Sequence, residues 1–235
     1  MSTMQEKLKK MNPRQLEAVL HTEGPLLILA GAGSGKTTVL INRIAYIIDQ
    51  SLAKPWQILA ITFTNKAAGE LKERLTAMLG DTGGDVWAAT FHSTCARILR
   101  RDGDRIGYSS HFTVYDTDDS KRLVKDCQKA LNIDDKMISH KSILSEISHA
   151  KDSMLSPADY QAAAGSDFRL AKIGAVYELY QKRLREADAM DFDDLLGNTV
   201  ELFRQCPDVL EYYQNRFRYI MVDEYQDTNL SLIHI

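Results

Sequence analysis

Paired cysteines are missing from this chain. Cys95, Cys127 and Cys206 stand far apart, with no Cys-x-x-Cys spacing among them, which argues against a zinc site or a redox dithiol. An odd, sparse set of thiols suits a reducing compartment rather than a disulfide scaffold. Long apolar runs are also missing. The most apolar stretch, Pro25 to Ala30, is far too short to span a bilayer. The opening residues are rich in Lys, Gln and Glu and carry no apolar leader core. The expectation is a soluble, cytoplasmic protein that makes no membrane contact. Positive charge is not in excess either: the formal net charge is -3 and the sequence pI about 6.1. A protein that coats nucleic acid would be basic overall, so any such contact here must be confined to a groove. Internal repeats and Pro- or Ser-rich linkers are absent too.

What is present is ordinary globular material. The chain has 235 residues, of which 44% are hydrophobic, enough to bury an ample core in one large domain or two small ones. Asn12-Pro13 predicts an N-cap with proline at the first helical position, and a short helix through Leu16, Val19 and Leu20. After a Gly24-Pro25 turn, Leu26 to Ala30 reads as a buried parallel strand. A Gly-rich loop follows, then a helix with Val39, Leu40, Ile44 and Ile47 on one face. Further strands are expected over Ile58 to Phe63, Val86 to Thr90 and Tyr219 to Val222, with a helix over Lys66 to Leu79 between the first two. Alternating strands and helices predict an α/β fold with a mainly parallel sheet. From about His92 to Gln205 the signals are mostly helical, with one short extended run at Phe112 to Tyr115. Asp116 to Asp119 can cap a helix reaching Leu131. Ser156-Pro157-Ala158-Asp159 resembles a capping box. Leu170 to Ala187 has helical apolar spacing, with Ile173, Val176, Tyr177 and Tyr180 inward. This stretch reads as a helical subdomain inserted between strands of the sheet.

Chemistry concentrates at two places. Ala30-Gly31-Ala32-Gly33-Ser34-Gly35-Lys36-Thr37 lies between an apolar run and a helix, the context a Walker A phosphate loop requires. Glycines let backbone N–H groups turn inward around phosphate oxygens, and the helix N-terminus adds its positive end. Lys36 is then expected to reach the β and γ phosphates and the Thr37 hydroxyl to ligate Mg²⁺. Ala30 stands where the strict pattern has glycine, and an ordinary Gly-rich βα turn is the bland alternative. The second place is Tyr219-Ile220-Met221-Val222-Asp223-Glu224, an apolar strand ending in two acids. Asp223 is a candidate Mg²⁺ ligand and Glu224 a candidate base for an attacking water. The alternative is a pair of acids that merely solvates a strand end.

The residues around these sites resemble a known family. Asp223-Glu224-Tyr225-Gln226-Asp227-Thr228-Asn229 is similar to motif II of the superfamily 1 DNA helicases of the UvrD/PcrA/Rep group. Asn12-Pro13-x-Gln15-x-x-Ala18-Val19 resembles that group's Q motif. Thr62-Phe63-Thr64-Asn65-Lys66-Ala67-Ala68 resembles motif Ia, and Thr90-Phe91-His92-Ser93 the next DNA-contacting motif. Asp191-Phe192-Asp193-Asp194-Leu195 matches a further signature. Thr22-Glu23-Gly24-Pro25-Leu26-Leu27 is similar to the PcrA branch.

The resemblance implies a P-loop NTPase of RecA-like fold: an ATP- and Mg²⁺-dependent motor moving 3′ to 5′ on single-stranded DNA and acting at single-strand/duplex junctions. It implies that residues 1–91 and 205–229 form subdomain 1A and residues 92–204 a helical subdomain 1B. It implies that Gln15 grips the adenine edge, that loop residues 30 to 38 cradle nucleotide, and that Gln226 links the γ-phosphate to the DNA side. Phe63, Thr64, Asn65, Lys66, Phe91 and His92 become DNA contacts. Phe63 can stack on a base or be an ordinary core ring, and His92 can line the DNA path or be a hydrogen-bonded structural residue. Thr38 stands where relatives often carry a basic residue.

Three features keep plainer readings. Asp191, Asp193 and Asp194 fit a helix first turn favoured by its dipole better than a metal site. Arg97, Arg100, Arg101 and Arg105 are either a solvated, salt-bridged face or phosphate contacts. Leu232 replaces the glutamine the family shows, and Leu230 to Ile235 are expected to be a non-native tail. A second RecA-like lobe of the same parent chain is expected to supply arginines to the γ-phosphate, without which the lobe alone should unwind nothing. Two rival functions stand beside this one: the helicase portion of a helicase–nuclease, and a non-catalytic ATP-gated DNA-binding module.

Overall fold

Asn12 starts the first well-capped helix by exchanging bonds with Gln15. Its side-chain oxygen accepts from the Gln15 N–H at 2.9 Å, and the Gln15 side-chain oxygen accepts from the Asn12 N–H at 3.3 Å. Pro13 sits at the first helical position, where its missing N–H costs nothing. The computed structural model describes residues 4–31 and 33–228. In chain order the elements are α1 (Met4–Leu8), α2 (Pro13–Leu20), α3 (Lys36–Asp49), β1 (Ile58–Thr62), α4 (Asn65–Leu79), α5 (Asp81–Gly84), β2 (Trp87–Thr90), α6 (Phe91–Asp102), β3 (Thr113–Val114), α7 (Thr117–Ala130), α8 (His140–Asp152), α9 (Pro157–Ala164), α10 (Phe168–Glu186), β4 (Ala189–Met190), α11 (Phe192–Gln205), α12 (Pro207–Arg216) and β5 (Tyr219–Val222). Residues up to Phe91, with Glu211–Asp227, form one compact unit, and His92–Leu210 belong to a second.

In the first unit the described sheet has three strands in the order β2-β1-β5. Both pairings are parallel, with Ala60 opposite Ala88 on one side and Met221 on the other. The central strand β1 is buried along its whole length, which explains why its sequence is continuously apolar rather than alternating. Ile41, Ile44 and Ile47 of α3 and Leu71 and Leu75 of α4 pack with Ile58, Ala60 and Met221 in one core. This packing brings the C-terminal ends of β1 and β5 to the same edge as the loop entering α3.

One expectation fails here. Leu26 to Ala30 is not a buried strand: the run has no strand assignment and is exposed, Leu29 to 86%. Apolar content alone does not make a strand, because each backbone N–H and C=O needs a ladder partner. Among the described residues no strand pairs with this run, and the outer edge of β5 carries Ile220 at 60% exposure. The sheet is therefore mixed α/β and parallel as expected, but smaller than the sequence suggests. A second, minor correction is that β1 ends at Thr62, so Phe63 lies just past the strand.

The second unit is mainly helical, as its sequence predicts. Val124 and Cys127 of α7, Ile143 and Ile147 of α8, and Ile173, Val176, Tyr177 and Tyr180 of α10 form its core. The extended run around Phe112 contributes β3, which pairs in parallel with β4, a strand the sequence reading missed. Ser156 caps α9 through a reciprocal bond with Asp159, as expected. The acids at the start of α11 have a partner that spacing could not reveal. Lys151 of α8 is buried and lies 2.6 Å from Asp191 and 2.8 Å from Asp194. Tyr180 donates to Asp191 at 2.8 Å, and Gln181 donates to Asp194 at 2.9 Å. Burial alone would drive the Lys151 ammonium towards neutrality, but the two carboxylates outweigh it and hold the proton. Burial pushes Asp194 up to about 6, against the pull of Lys151. Removing one member of such a buried pair typically costs about 3–5 kcal/mol, because the other charge is left stranded.

Candidate nucleotide site and nucleic-acid face

The loop before α3 adopts a backbone that needs glycine. Gly33 has φ 75° and Gly35 φ 89°, both left-handed, where a side chain would strain the chain. Ser34 closes the turn on itself: its hydroxyl donates to the Gly31 carbonyl at 2.7 Å. Gly35 then serves as N-cap of α3 without a side-chain cap, so the first helical N–H groups, those of Lys36 and Thr37 among them, are not taken up by a capping side chain. Thr37 is half-buried and Thr38 exposed. Ala30, Gly31, Gly33 and Ser34 are exposed, and Ala32 lies outside the described residues.

Lys36 turns back over this loop. Its ammonium donates to the Ala30 carbonyl at 3.3 Å and stands 3.8 Å from the Glu224 carboxylate. The loop lysine and the acid after β5 therefore converge, although the sequence places them near opposite ends of the chain. Asp223 is tied to the sheet by its N–H, which donates to the Ile61 carbonyl at 2.9 Å. Burial first, and the neighbouring Glu224 charge second, push its carboxyl above the usual range. Glu224 itself sits at φ 55°, a left-handed conformation uncommon for a side-chain-bearing residue. Gln226 donates to Glu224 at 2.6 Å. Gln15, the last member, reaches the loop from α2, donating to the Ser34 carbonyl at 3.0 Å. The structure thus brings together Gln15, the loop, Lys36, Glu224 and Gln226. Thr37 and Asp223 supply hydroxyl and carboxylate oxygens, the hard donors that Mg²⁺ prefers.

Beyond β1, Phe63 is half-buried and tilted against the buried ring of Phe91, with centroids 5.3 Å apart. Phe63 is therefore neither a core ring nor an open one. Thr64 caps α4 by accepting from Ala67 N–H at 3.1 Å. That leaves Asn65 and Lys66 exposed in the positive first turn of the helix.

In the second unit, His92 meets Phe192 edge to face at 5.5 Å. Burial lowers the His92 pKa, and Asp193 partly offsets the shift. Phe192, the aromatic of the Asp191-Phe192-Asp193-Asp194-Leu195 signature, has no role assigned from the sequence and is 49% exposed. The arginines near α6 have structural work. Arg105 donates two hydrogen bonds to the Asp208 carboxylate at 2.9 and 3.1 Å, and Arg100 donates to the Ser110 carbonyl while lying over the Phe112 ring. The Asp191 and Asp194 carboxylates already hold the Lys151 cation. The three cysteines are buried thiols, and burial pushes Cys95 up to about 12. Among the described residues no helix is long and apolar enough to cross a membrane. Leu230 to Ile235 lie outside the described residues.

The UvrD/REP helicase N-terminal domain family matches residues 11–235. A protein named ATP-dependent DNA helicase PcrA from Staphylococcus aureus (strain COL) is 52% identical over 222 residues, covering 94% of this chain and 30% of the relative. Its namesake from Staphylococcus epidermidis (strain RP62A) is 51% identical over the same shares. The chain thus spans about a third of the length of these curated relatives. On this match, the chain belongs to the UvrD/REP helicase N-terminal domain family.

Proposed function

We propose that this chain is the nucleotide-binding lobe of an ATP-driven helicase that tracks 3′ to 5′ along single-stranded DNA. The observation that carries the reading is the convergence of Lys36 and Glu224 at 3.8 Å, at the mouth of a left-handed glycine loop and the end of a parallel strand. In this reading the first unit is the RecA-like subdomain 1A and the helical unit is subdomain 1B. A second lobe of the same parent protein completes the site.

Lys36 leaves the Ala30 carbonyl for the β and γ phosphate oxygens, a stronger, charge-assisted partner. Loop N–H groups and the α3 N-terminus take the remaining phosphate charge. Thr37 and Asp223 would hold Mg²⁺, which would supply charge neutralisation to the phosphates. The place of Asp223 at the end of β5, tied by its N–H to the Ile61 carbonyl at 2.9 Å and next to Glu224, supports this role. Glu224 orients and deprotonates the attacking water. Gln226, bonded to Glu224, reports the state of the γ-phosphate to the DNA side. Gln15 holds the adenine edge, with an amide that donates and accepts at once.

On the DNA side, the half-open Phe63 ring stacks on a base, while Thr64, Asn65 and Lys66 position phosphate at the α4 N-terminus. Phe91 is buried and acts as the back support of Phe63. In the second unit His92 and the exposed Phe192 offer another aromatic edge for a splayed base.

A strand-displacement assay on the full-length protein tests the reading. With ATP and Mg²⁺, a duplex bearing a 3′ single-stranded tail should unwind and one bearing a 5′ tail should not. Unwinding from the 5′ tail alone would reverse the polarity. No ATP-dependent unwinding of either would refute the helicase assignment.

A further inference from the structure

Helix α2, which carries Gln15, has only 8 residues. An isolated helix that short is marginal in water, so its place depends on its anchors. Its apolar anchor is small: Ala18 and Val19 pack on Val39 of α3, with Met4, Leu8, Met11 and Tyr46 around them. Among the described residues it has two polar anchors. At the loop end, Gln15 donates to Ser34. At the other end, where the helix leaves carbonyls without N–H partners, Arg43 of α3 donates to the Ala18 carbonyl at 2.7 Å and to the His21 carbonyl.

Arg43 is buried despite its charge. A buried guanidinium is tolerated only where its N–H groups find acceptors, and the negative end of a helix dipole is a favourable place for it. The spacing is also informative. Arg43 lies about two turns beyond Lys36, roughly 10 Å along α3. His21 lies roughly 9 Å beyond Gln15 on the α2 side. The two segments are thus bridged at both ends over matching lengths, one bridge at the phosphate loop and one at Arg43.

We propose that Arg43 is a positioning residue for the nucleotide base: by holding the carbonyl end of α2 to α3 it fixes Gln15 at the height of the phosphate loop, and so sets the preference for a nucleotide over a base-free triphosphate. The inference rests on the nucleotide-site reading above. Arg43 touches no phosphate in this account. It acts only through α2 and Gln15.

The test is calorimetric binding of Mg-ATP and of Mg-tripolyphosphate to the full-length protein. Arg43→Met removes the donors at similar length and should weaken ATP about three- to tenfold, the range of one hydrogen bond lost between Gln15 and the base, while tripolyphosphate changes less than twofold. Arg43→Lys keeps a cation at the carbonyls and should recover part of the loss, which keeps the proposal testable if the methionine variant folds poorly. In a Gln15→Ala background, Arg43→Met should weaken ATP no further. Equal weakening of both ligands by Arg43→Lys, unchanged ATP affinity in folded Arg43→Met, or a full additional loss on top of Gln15→Ala would each overturn it. If wild-type protein binds ATP no better than tripolyphosphate, the base-pocket reading itself is at fault. If Gln15→Ala erases the preference and Arg43→Met does not, only the role of Arg43 fails.

Discussion

Lys36 and Glu224 face each other across 3.8 Å, with side chains partly open to water. As a salt bridge this pair is worth little, about 0–1 kcal/mol for an exposed contact. Its meaning is positional: the Gly33 and Gly35 backbone aims the lysine, and the turn after β5 aims the acid at the same point. Because Glu224 has a chemical rather than a structural part in this account, Glu224→Gln should bind Mg-ATP nearly as the wild type does. It should lose hydrolysis, since an amide cannot take the water's proton. Nucleotide titration beside steady-state turnover reads both quantities. Loss of binding together with turnover would make Glu224 a structural residue.

Phe63 offers a different discrimination. With its ring tilted against Phe91 and half-buried, Phe63→Ala should weaken single-stranded DNA binding by about 1–3 kcal/mol and leave DNA-free ATP binding nearly unchanged. A fully packed ring would instead cost about 3–5 kcal/mol of stability on truncation. Melting temperature measured beside a DNA titration separates the two. A sharply lowered melting temperature with unchanged DNA affinity would mean that the ring is packing.

His92 predicts a pH effect with a defined sign. Burial lowers its pKa from 6.5, so the unfolded chain binds the proton more readily than the folded one. Its contribution to stability is complete above about pH 6.5 and declines as pH falls from there towards the lowered folded value. His92→Gln should flatten the stability profile in that window. Denaturant titrations from pH 7.5 down to about 5.5 check this, and an unchanged slope would remove His92 from the account of acid sensitivity.

Particular residues show how far the sequence could be read. The left-handed Gly33 and Gly35 were legible because a Gly-rich turn between an apolar run and a helix is a local pattern, and Asp223-Glu224 because an apolar strand end followed by acids is one too. Asn12 with Gln15, and Ser156 with Asp159, were legible as caps for the same reason. What escaped was non-local. Lys151 is separated from Asp191 and Asp194 by the whole of α9 and α10, so nothing in the acid triplet announces its counter-ion. β4 is two residues long, below what alternation can reveal. Leu26 to Ala30 differs from its expectation because apolar content does not specify pairing, which depends on which strand lies alongside. Arg43 lies on a helix whose apolar face was correctly read, but periodicity does not show that a charged side chain turns inward to another helix's carbonyls.

The central claim is that the glycine loop and Lys36 hold the phosphates of a nucleotide whose hydrolysis drives movement on DNA. The most direct test is ATP turnover by the full-length protein, wild type against Lys36→Ala, titrated with single-stranded DNA. Wild-type turnover should rise on DNA addition. Lys36→Ala should fall by at least about 100-fold, the scale for losing one charge-stabilising group, and should not respond to DNA. Turnover of Lys36→Ala at the wild-type rate, stimulated by DNA to the same extent, would contradict the account.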